Sequence, residues 1–571
     1  MQNFQEISSF IWGVCDDVLR GLFKQHEYGD VILPFLVLRR LDCVLEPHKD
    51  AVHQLYEELT AKEVEPSPII RKKTGLKFFN HSKFDLQRLK ADSKGLKLNF
   101  ATYLSSFSQN VRVILDNFQL DKPVAKLQKN NKLFLLISKF TEVDLHPDKV
   151  DNRMMGKIYE ELLRKFSEMS NETSGDHYTP RDCVKLVVAL LFAENTESLK
   201  GEGIIRSIFD PCCGTGGMLT MAKEWIKENI NEEVRLNLFG QEMQPQTYAI
   251  CQSDMLISGE DPNNIKLGSS LSEDQFGLKQ FDYMLSNPPY GVSWKAEKEA
   301  VLEEAKDPLG RFTAGTPRTS DGALLFVLHM LAKMRDKGSR IGVVLNGSPL
   351  FTGDAGSGES NIRKYIIEQD YLECIVALPD QMFFNTGIST YIWILNNNKS
   401  EKRKGKVQLI DATSFYSPMK KSLGQKRKAV SDQQREEILR YYREMVENEQ
   451  SKIYDNEFFG YTKVTIERPV VENGQAVRKR DGSLKADSKL RDYERIPLSQ
   501  DIEAYFEAEV APHLSDAWMD RSKDKLGYEI NFSKYFYQYT PLRSLAEITQ
   551  ELWALEQESE GLFKAIMDET V

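Results

Sequence analysis

Three features are missing from this 571-residue sequence, and each absence excludes a class of protein. No apolar run approaches the roughly 20 residues of a membrane helix, and Asp16, Asp17 and Arg20 interrupt the start of the chain, so we expect neither a membrane segment nor a signal peptide. The seven cysteines include no CxxC pair and no histidine at metal spacing, which predicts a reducing cytoplasm, no disulfide frame and no metal site. Positive charge is not in excess: the net charge is −10, which argues against a chain that binds DNA tightly by itself.

Length and hydrophobic pattern predict several domains, because 571 residues are too many for one core. Apolar residues at helical spacing predict a helical domain over residues 1–150, where no catalytic pattern occurs. From 151 to 398 apolar strands alternate with amphipathic helices, which is typical of an α/β fold with a Rossmann-like, doubly wound sheet of mixed direction. The predicted strands are 207–210, 237–242, 281–286, 340–345, 372–378 and 390–395, with a helix at 322–338.

The last two regions differ from the rest in composition. Residues 399–540 are basic and loop-rich, with the runs NKSEKRKGK and KKSLGQKRK. Each run is either a solvated linker or a strip that contacts phosphates, and both interpretations stay open. Residues 541–571 carry apolar side chains at 3–4 spacing, which predicts a helix that packs on its own domain or docks on another chain. We assign this helix to partner docking.

The segment IFDPCCGTGGML, at 208–219, predicts a nucleotide-binding turn. A strand ends at Asp210, and a glycine-rich turn then opens a helix. Glycines there let the backbone approach a bound nucleotide closely, and without a Lys-Ser/Thr pair a triphosphate is not expected. A second strand ends at Glu242, where a carboxylate suits the two hydroxyls of an adenosine ribose. A structural turn that binds nothing is the alternative.

The segment SNPPYG, at 286–291 after the apolar run FDYML, predicts a site for an amine. An amino group conjugated to a ring is a poor nucleophile because its lone pair is delocalised. The Asn287 oxygen and a backbone carbonyl from the prolines would accept both N–H groups and draw the nitrogen toward tetrahedral geometry. Pro288 and Pro289 fix the backbone without a competing N–H, and Tyr290 offers a flat face for stacking, worth about 1–3 kcal/mol per base. A proline-rich strand exit without a ligand is the alternative.

The ordered set of motifs resembles a known family. GDHYTPR (175–181), DPCCGTGG (210–217), Glu242 and NPPY (287–290) are similar to those of amino-methylating DNA methyltransferases that use S-adenosylmethionine. The most similar pattern is that of the modification subunit of type I restriction–modification systems, which implies a bacterial or archaeal cytoplasm. The resemblance covers nearly the whole chain, since it includes the helical N-terminus and the segments LPDQMFFNTGIST (378–390), NEFFGYTKVTIERP (456–469) and KLGYEINFSKYF (525–536).

The resemblance implies a role for each matched residue. The methionine part of the cofactor would be wrapped by Tyr178, Thr179 and Pro180, and its ribose would be held by Glu242. The cofactor turn would comprise Asp210, Cys212, Gly214, Thr215, Gly216 and Gly217. The target adenine, methylated at N6, would be held by Asn287, Pro288, Pro289 and Tyr290. Phe384 is a second candidate for flanking the base, with Phe383 and Phe384 divided between the core and the site.

One departure from the family pattern concerns the adenine of the cofactor. The family usually has an acidic residue in the corresponding step, and here the stretch is GSSL (268–271), so Ser269 replaces it. Asp254 is a candidate substitute for the missing acid.

The resemblance also implies partners, which would reconcile a negative net charge with work on double-stranded DNA. A separate specificity subunit would read the target, two copies of the methylating subunit would flank it, and an ATP-dependent restriction subunit would join to cleave unmodified DNA. The adenine would be flipped out of the duplex. The rivals are a stand-alone adenine methyltransferase, a protein-glutamine methyltransferase and a non-catalytic DNA-clamp or scaffold subunit.

Overall fold

The computed structural model describes residues 4–92, 94–170, 179–194, 196–336, 338–384, 386–472, 475–537 and 544–568. The chain divides into a large unit, residues 1–530, and a C-terminal unit, residues 531–571. None of the described helices is long and apolar enough to cross a membrane.

The N-terminal part of the large unit is helical, as predicted. Its helices are α1 (Phe4–Val14), α2 (Gly29–Leu45), α3 (Lys49–Ala61), α4 (Pro66–Thr74), α5 (Leu86–Ala91), α6 (Leu96–Ser105), α7 (Gln109–Asn117), α8 (Asp121–Lys129), α9 (Leu133–Phe140) and α10 (Asn152–Ser170). Local sequence sets several of these ends. The Asp85 side chain caps α5 by accepting a hydrogen bond from the Arg88 N–H at 2.7 Å. Helix α4 ends before Gly75, because the φ of 72° at Gly75 is left-handed and incompatible with a right-handed helix.

The next part of the chain builds a large sheet covered by helices. Its strands are β1 (Ile205–Asp210), β2 (Arg235–Glu242), β3 (Ile265–Leu267), β4 (Tyr283–Ser286), β5 (Arg340–Asn346), β6 (Leu372–Ala377), β7 (Thr390–Asn396), β8 (Lys406–Asp411), β9 (Ser417–Leu423), β10 (Lys426–Ala429) and β11 (Ser451–Asp455). Its helices are α11 (Arg181–Leu191), α12 (Gly217–Asn229), α13 (Pro245–Ile257), α14 (Lys298–Glu304), α15 (Ala323–Ala332), α16 (Ser348–Phe351), α17 (Gly358–Glu368) and α18 (Asp432–Glu444).

The sheet has nine strands in the order β11-β8-β6-β7-β5-β4-β1-β2-β3. Strands β1 to β5 run parallel to one another, whereas β7 runs antiparallel between β5 and β6. The predicted Rossmann-like fold of mixed direction is therefore confirmed. The chain leaves β1 toward β2 on one side and later returns as β4 on the other, so the strand order reverses between β1 and β4. A ligand is expected at the carboxyl ends of the strands beside this reversal.

All six predicted strands overlap observed ones, but the helix predicted at 322–338 ends at Ala332. Directly after it, Met334 makes a β-bridge with Phe281, and the Lys333 side chain is buried in an ion pair with Asp274. Helical continuation would break both contacts, which is why the apolar spacing overestimated the helix.

Two observations move the boundaries that the sequence predicted. Helix α10, which follows residue 150, buries Ile158, Tyr159 and Leu162 in the same core as the N-terminal helices. Two strands of the large sheet, β8 and β11, lie after residue 398. The predicted boundary at 398 therefore falls inside the sheet, because β8, which follows residue 398, pairs with β6.

The run NKSEKRKGK is not a solvated linker throughout. Arg403, at its centre, has a fully buried side chain, donates to Glu194 Oε1 at 2.9 Å and donates to Gln408 Oε1 at 3.1 Å. Lys399 is also buried and pairs with Asp370 at 2.6 Å. This run ties β8 to the rest of the sheet, so the phosphate-strip interpretation is wrong for these two residues.

The rest of the large unit forms a small antiparallel sheet. Its elements are β12 (Gly460–Glu467), β13 (Val471–Glu472), β14 (Gln475–Ala476), β15 (Asp492–Pro497), α19 (Ile502–Tyr505), β16 (Trp518–Met519) and β17 (Lys525–Tyr528), with β12 at the centre and β13–β14 as a separate hairpin. Buried Arg363 of α17 donates to the Tyr528 carbonyl at 2.6 Å and so joins this sheet to the large one.

The C-terminal unit contains α20 (Phe532–Tyr535) and α21 (Leu545–Asp568). The helix predicted over 541–571 is thus observed over Leu545–Asp568, and residues 541–543 and 569–571 lie outside the described residues. Along α21 the side chains of Leu545, Ile548, Leu552 and Leu555 are all exposed.

Candidate active site

The glycine-rich turn lies between β1 and α12, at the reversal of strand order. Gly214 and Gly216 have φ values of 54° and 83°, which non-glycine residues rarely adopt. The Gly216 N–H donates to the Cys213 carbonyl at 2.8 Å and closes the turn. A methyl group on Gly216 would lie 2.8 Å from Cys251 Sγ, so the turn also packs directly on α13. Thr215 is half-buried between the two glycines, and Gly217 begins α12.

Glu242, at the end of β2, is held beside this turn. Its Oε2 accepts a hydrogen bond from the Gly214 N–H at 3.0 Å, and its Oε1 accepts one from the Gln244 N–H at 2.8 Å. Glu242 is buried, with 6% of the residue exposed. Two backbone donors therefore fix its orientation at the carboxyl edge of the sheet, where the sequence predicted the ribose contact.

The exit of β4 is joined to the turn through Ser286. The Ser286 hydroxyl donates to Asp210 Oδ1 at 2.8 Å and lies 2.9 Å from Cys212 Sγ. The same Asp210 oxygen accepts the Cys212 N–H at 3.0 Å. The structure thus brings the predicted cofactor turn and the predicted amine site together, since Asn287 is the residue after Ser286.

Asp210 is the buried acid at this junction. Burial raises the pKa of its carboxyl to about 7, against the effect of its hydrogen bonds with Cys212 and Ser286. Glu242 contributes a further increase because it is a second negative charge nearby.

Asn287 presents a buried acceptor. Its Oδ1 has no solvent exposure and accepts no hydrogen bond from any residue in the described part of the chain. A buried oxygen without a donor costs about 1–3 kcal/mol, so such groups are rare away from ligand sites and ordered water. Asn346 lies at the carboxyl end of β5, the strand next to β4. Its Oδ1 is also buried and accepts no hydrogen bond from any described residue.

The rings near Asn287 are divided between core and site. Phe383 is buried, with 1% exposure, and its ring meets the Tyr290 ring edge-on at a centroid distance of 6.4 Å. Phe384 is half-buried. Phe383 therefore supports Tyr290 from the core, and Phe384 is the one of the two whose position suits a bound ring. Pro288 is buried and Pro289 half-buried.

The GSSL stretch lies at the same edge of the sheet. The Gly268 N–H donates to the Glu242 carbonyl at 3.0 Å, which places Ser269 next to the end of β2. Arg311 holds this stretch from outside by donating to the carbonyls of Ser270 at 2.7 Å and Leu271 at 3.0 Å. Glu304 anchors the same guanidinium at 2.6 Å.

Asp254 lies elsewhere, which argues against its predicted contact with the adenine of the cofactor. It is near the end of α13, about two turns beyond the residues that follow Glu242. The positive charges that act on it are Arg40 of α2 and Arg181 of α11. Burial nevertheless raises the pKa of Asp254 to about 7. The residue belongs to the junction between the N-terminal helices and the sheet.

The predicted methionine-wrapping residues are only partly described. Tyr178 lies outside the described residues. Thr179 is half-buried and Pro180 is buried. The Pro180 carbonyl accepts the Val184 N–H at 3.0 Å and so begins the first turn of α11.

Several residues that hold or line the site were missed by sequence reasoning. Ser286 could have been found from the sequence, because it directly precedes NPPY. Met243 could have been found as the residue after Glu242, and it is 56% exposed. Asp321 accepts the Gly291 N–H at 3.3 Å and the Ala323 N–H at 3.2 Å, and so fixes the loop that follows Tyr290. Nothing in the local sequence pairs Asp321 with a glycine thirty residues earlier.

A cavity of about 670 Å³ adjoins the start of α13. Residues 244–247 line one side of it, and residues of helices α7 and α8 line the other side. Gln246 Nε2 donates to Asp30 Oδ1 of α2 at 2.6 Å across its edge. The N-terminal helices therefore contact the segment that directly follows Glu242.

Comparison with known proteins identifies the families involved. A family model described as N-6 DNA Methylase matches residues 150–475. A second model, described as HsdM N-terminal domain, matches residues 7–140.

Named relatives agree with these models. The chain is 25% identical over 512 residues to the type I restriction enzyme MjaIX methylase subunit of Methanocaldococcus jannaschii. This alignment covers 86% of this chain and 87% of that protein. It is 33% identical over 261 residues to the HindI methylase subunit of Haemophilus influenzae, covering 45% and 54%. The fold is similar to that of a type I restriction-modification methyltransferase subunit from Streptococcus thermophilus, with a TM-score of 0.63, 22% identity and coverage of 80% and 97%.

Proposed function

The chain belongs to the N-6 DNA methylase family and is an S-adenosylmethionine-dependent DNA methyltransferase, and from this premise we propose its reaction. It transfers a methyl group to N6 of adenine in double-stranded DNA, as the modification subunit of a type I restriction–modification complex. The similarity to type I methylase subunits over 86% of the chain supports this assignment.

The observation that carries the proposal is the buried Oδ1 of Asn287, which lacks a donor among the described residues. An amino group has two N–H donors, and it would satisfy this oxygen together with a carbonyl of Pro288 or Pro289. An exocyclic amine would therefore supply the donor that Asn287 Oδ1 does not find among the described residues.

These acceptors would do more than bind the amine. Hydrogen bonds from both N–H groups favour a tetrahedral nitrogen, whose lone pair is directed away from the ring. Because planarity is lost only as the new bond forms, the two hydrogen bonds strengthen in the transition state. The proton leaves after attack, so no strong general base is needed.

The adenine would reach this pocket only by leaving the duplex. Tyr290 would stack on one face of the extruded base, with Phe383 holding the ring of Tyr290 from behind. Phe384 would contact the base from another side. Stacking of this kind is worth about 1–3 kcal/mol per base, which offsets part of the unpairing cost.

The residues present at the turn fit the cofactor. Gly214 and Gly216 let the backbone approach a nucleoside, and the Glu242 carboxylate is oriented at the edge where its ribose would lie. Thr179 and Pro180, with Tyr178, would hold the methionine part. S-adenosylmethionine supplies the methyl group when bound. Ser269 lies beside the end of β2, so its stretch would face the adenine of the cofactor.

The partners of the complex belong to the same proposal. A specificity subunit would supply target recognition, a second copy of this chain would complete the methylating unit, and an ATP-dependent restriction subunit would join for cleavage. Residues 1–150 and the exposed apolar side chains of α21 are the candidate contact regions. A stand-alone enzyme and a non-catalytic clamp are the alternatives.

Replacement of Asn287 tests the assigned chemistry. In the complex assembled with its specificity subunit, we expect Asn287→Ala to lower kcat for methyl transfer at least 100-fold, the loss typical of one removed transition-state contact. Cofactor affinity, measured by calorimetry, should change no more than a few-fold, because Asn287 does not hold the cofactor. Asn263→Ala, the same substitution at an exposed position in the short 3-10 helix Pro262–Asn264, is the control and should keep full turnover. Retained turnover in Asn287→Ala would refute the role.

A further inference from the structure

The basic run KKSLGQKRK, which the proposed chemistry does not use, forms a hairpin beside the active site. Its strands are β9 and β10, paired antiparallel. The connection runs through Gly424, whose φ of 58° permits the tight turn. Three of its cations, Lys420, Lys421 and Arg427, are exposed.

The hairpin is attached to the loop that carries Phe383 and Phe384. The Gln425 N–H donates to the Phe384 carbonyl at 2.7 Å, and the Arg427 N–H donates to the Gln381 carbonyl at 3.0 Å. Since Phe383 contacts the Tyr290 ring, the hairpin is separated from Tyr290 by a single loop.

A second attachment joins the hairpin to the start of α11. Buried Lys426 donates to Asp182 Oδ2 at 2.9 Å and to the Met382 carbonyl at 2.9 Å. The same Asp182 oxygen accepts the Val430 N–H at 3.0 Å. Asp182 comes two residues after Pro180, so the hairpin bridges the predicted cofactor loop and the predicted base loop.

The cations of the hairpin fall into two groups. Lys426 pairs with Asp182, and Lys428 pairs with Asp380; these two hold the hairpin in place. Arg427 lies between these two lysines, where the pairing of β9 with β10 is irregular, and it is exposed. Within the described chain, Lys420, Lys421 and Arg427 have no ion-pair partner. Three uncompensated positive charges therefore project from a rigid support next to the site, on a chain whose net charge is −10.

We propose that Lys420, Lys421 and Arg427 contact backbone phosphates of the DNA strand next to the flipped adenine. This inference rests on the proposed function and specifies how the chain itself holds DNA. A base that is stacked between Tyr290 and Phe384 remains tied to its own backbone, which must then pass close to the segment that carries Phe383 and Phe384. The hairpin is fastened to that loop, so its free cations meet the phosphates that flank the extruded nucleotide. Phosphate contacts of this kind set position and affinity without reading sequence.

The test compares two triple variants of equal charge, each assembled as a complex with the specificity subunit. The first, K420Q/K421Q/R427Q, removes the hairpin cations. The control, R478Q/K479Q/R480Q, removes three exposed cations near the β13–β14 hairpin. The probe is unmodified duplex DNA, bound at a series of salt concentrations and also used as methyl acceptor.

We expect K420Q/K421Q/R427Q to raise the KM for DNA at least tenfold at physiological salt. The slope of log K against log salt should fall by about 3, since each phosphate contact contributes about 0.9. Cofactor affinity and assembly with the specificity subunit should be unchanged, and the control variant should keep the salt slope of the original chain.

Three outcomes would overturn the inference. An unchanged salt slope would exclude phosphate contacts. An equal change in both variants would show that the effect depends on the total charge of the chain and not on the position of the hairpin cations. Loss of assembly with the specificity subunit would mean that the cations contact a protein. Failure of the proposed function itself is distinguishable, because then the original chain would methylate no DNA.

Discussion

At the scale of single residues, the account depends on a few polar contacts at the carboxyl edge of the sheet. Ser286 joins Asp210 to Cys212, and Asn287 follows it with a buried oxygen that lacks a donor in the described chain. The proposed cofactor turn and the proposed amine site are therefore adjacent, because Ser286 contacts the turn and Asn287 is the next residue. A substitution away from this shared contact should nevertheless separate the two parts of the site.

Gly216 offers such a separation for the cofactor half. We expect Gly216→Ala to weaken cofactor affinity at least tenfold and to lower the midpoint of thermal unfolding, because a methyl group would lie 2.8 Å from Cys251 Sγ. A non-glycine residue at a φ of 83° also carries strain of about 1–2 kcal/mol.

Gly203→Ala is the matched control for this prediction. Gly203 has a φ of 70°, yet a methyl group there would meet no atom within 4 Å. The control thus shares the backbone strain but lacks the clash, and it should leave cofactor binding intact. Calorimetry with S-adenosylmethionine checks both variants; equal effects would show that the packing of the turn on α13 does not matter.

At the scale of elements, sequence reasoning succeeded where a motif and its strand are adjacent. Asp210, Glu242 and Asn287 each end a strand or directly follow one, so parallel pairing brought them together as predicted. The position of Asp254, which argues against the predicted contact, depends on which face of α13 meets the N-terminal helices. That packing, with Arg40 and Arg181 supplying the nearby charge, has no local signature.

The same limit explains the two basic runs. Both have similar composition, yet Arg403 is buried in the sheet while Arg427 is exposed on a hairpin. Composition alone cannot distinguish them, since the difference arises from Glu194, which lies more than two hundred residues away in the chain. The predicted helix end at 338 failed for a related reason, namely the non-local bridge between Phe281 and Met334.

The element-scale prediction concerns α21. Leu552 and Leu555 lie on one face of this helix and are each 61% exposed. We expect L552E/L555E to weaken assembly with the specificity subunit at least tenfold, because charge would enter an apolar contact. Cofactor affinity should not change.

Q550E/Q557E provides the control for α21. It adds the same two charges about 180° around the helix from Leu552 and Leu555, where no partner contact is expected. Co-purification from cells that express both subunits gives the readout. Full assembly of L552E/L555E would contradict the docking role of α21.

At the scale of the whole molecule, the charge of the chain is unevenly distributed. Its net charge is −10, and uncompensated cations occur where an extruded nucleotide would pass. The proposed function leaves target recognition to a partner, and the similarity to type I methylase subunits supports that proposal. The N-terminal helices contact the segment after Glu242 through Asp30 and Gln246, so the two parts of the large unit meet beside the end of β2.

The most direct test of the central claim is the chemical identity of the methylated product. The complex of this chain with its specificity subunit should be incubated with unmodified double-stranded DNA and S-adenosylmethionine that carries a labelled methyl group. Digestion of the DNA to nucleosides, followed by mass spectrometry, should find the label in N6-methyldeoxyadenosine. Label in a cytosine product or in protein, or no label transferred at all, would contradict the account.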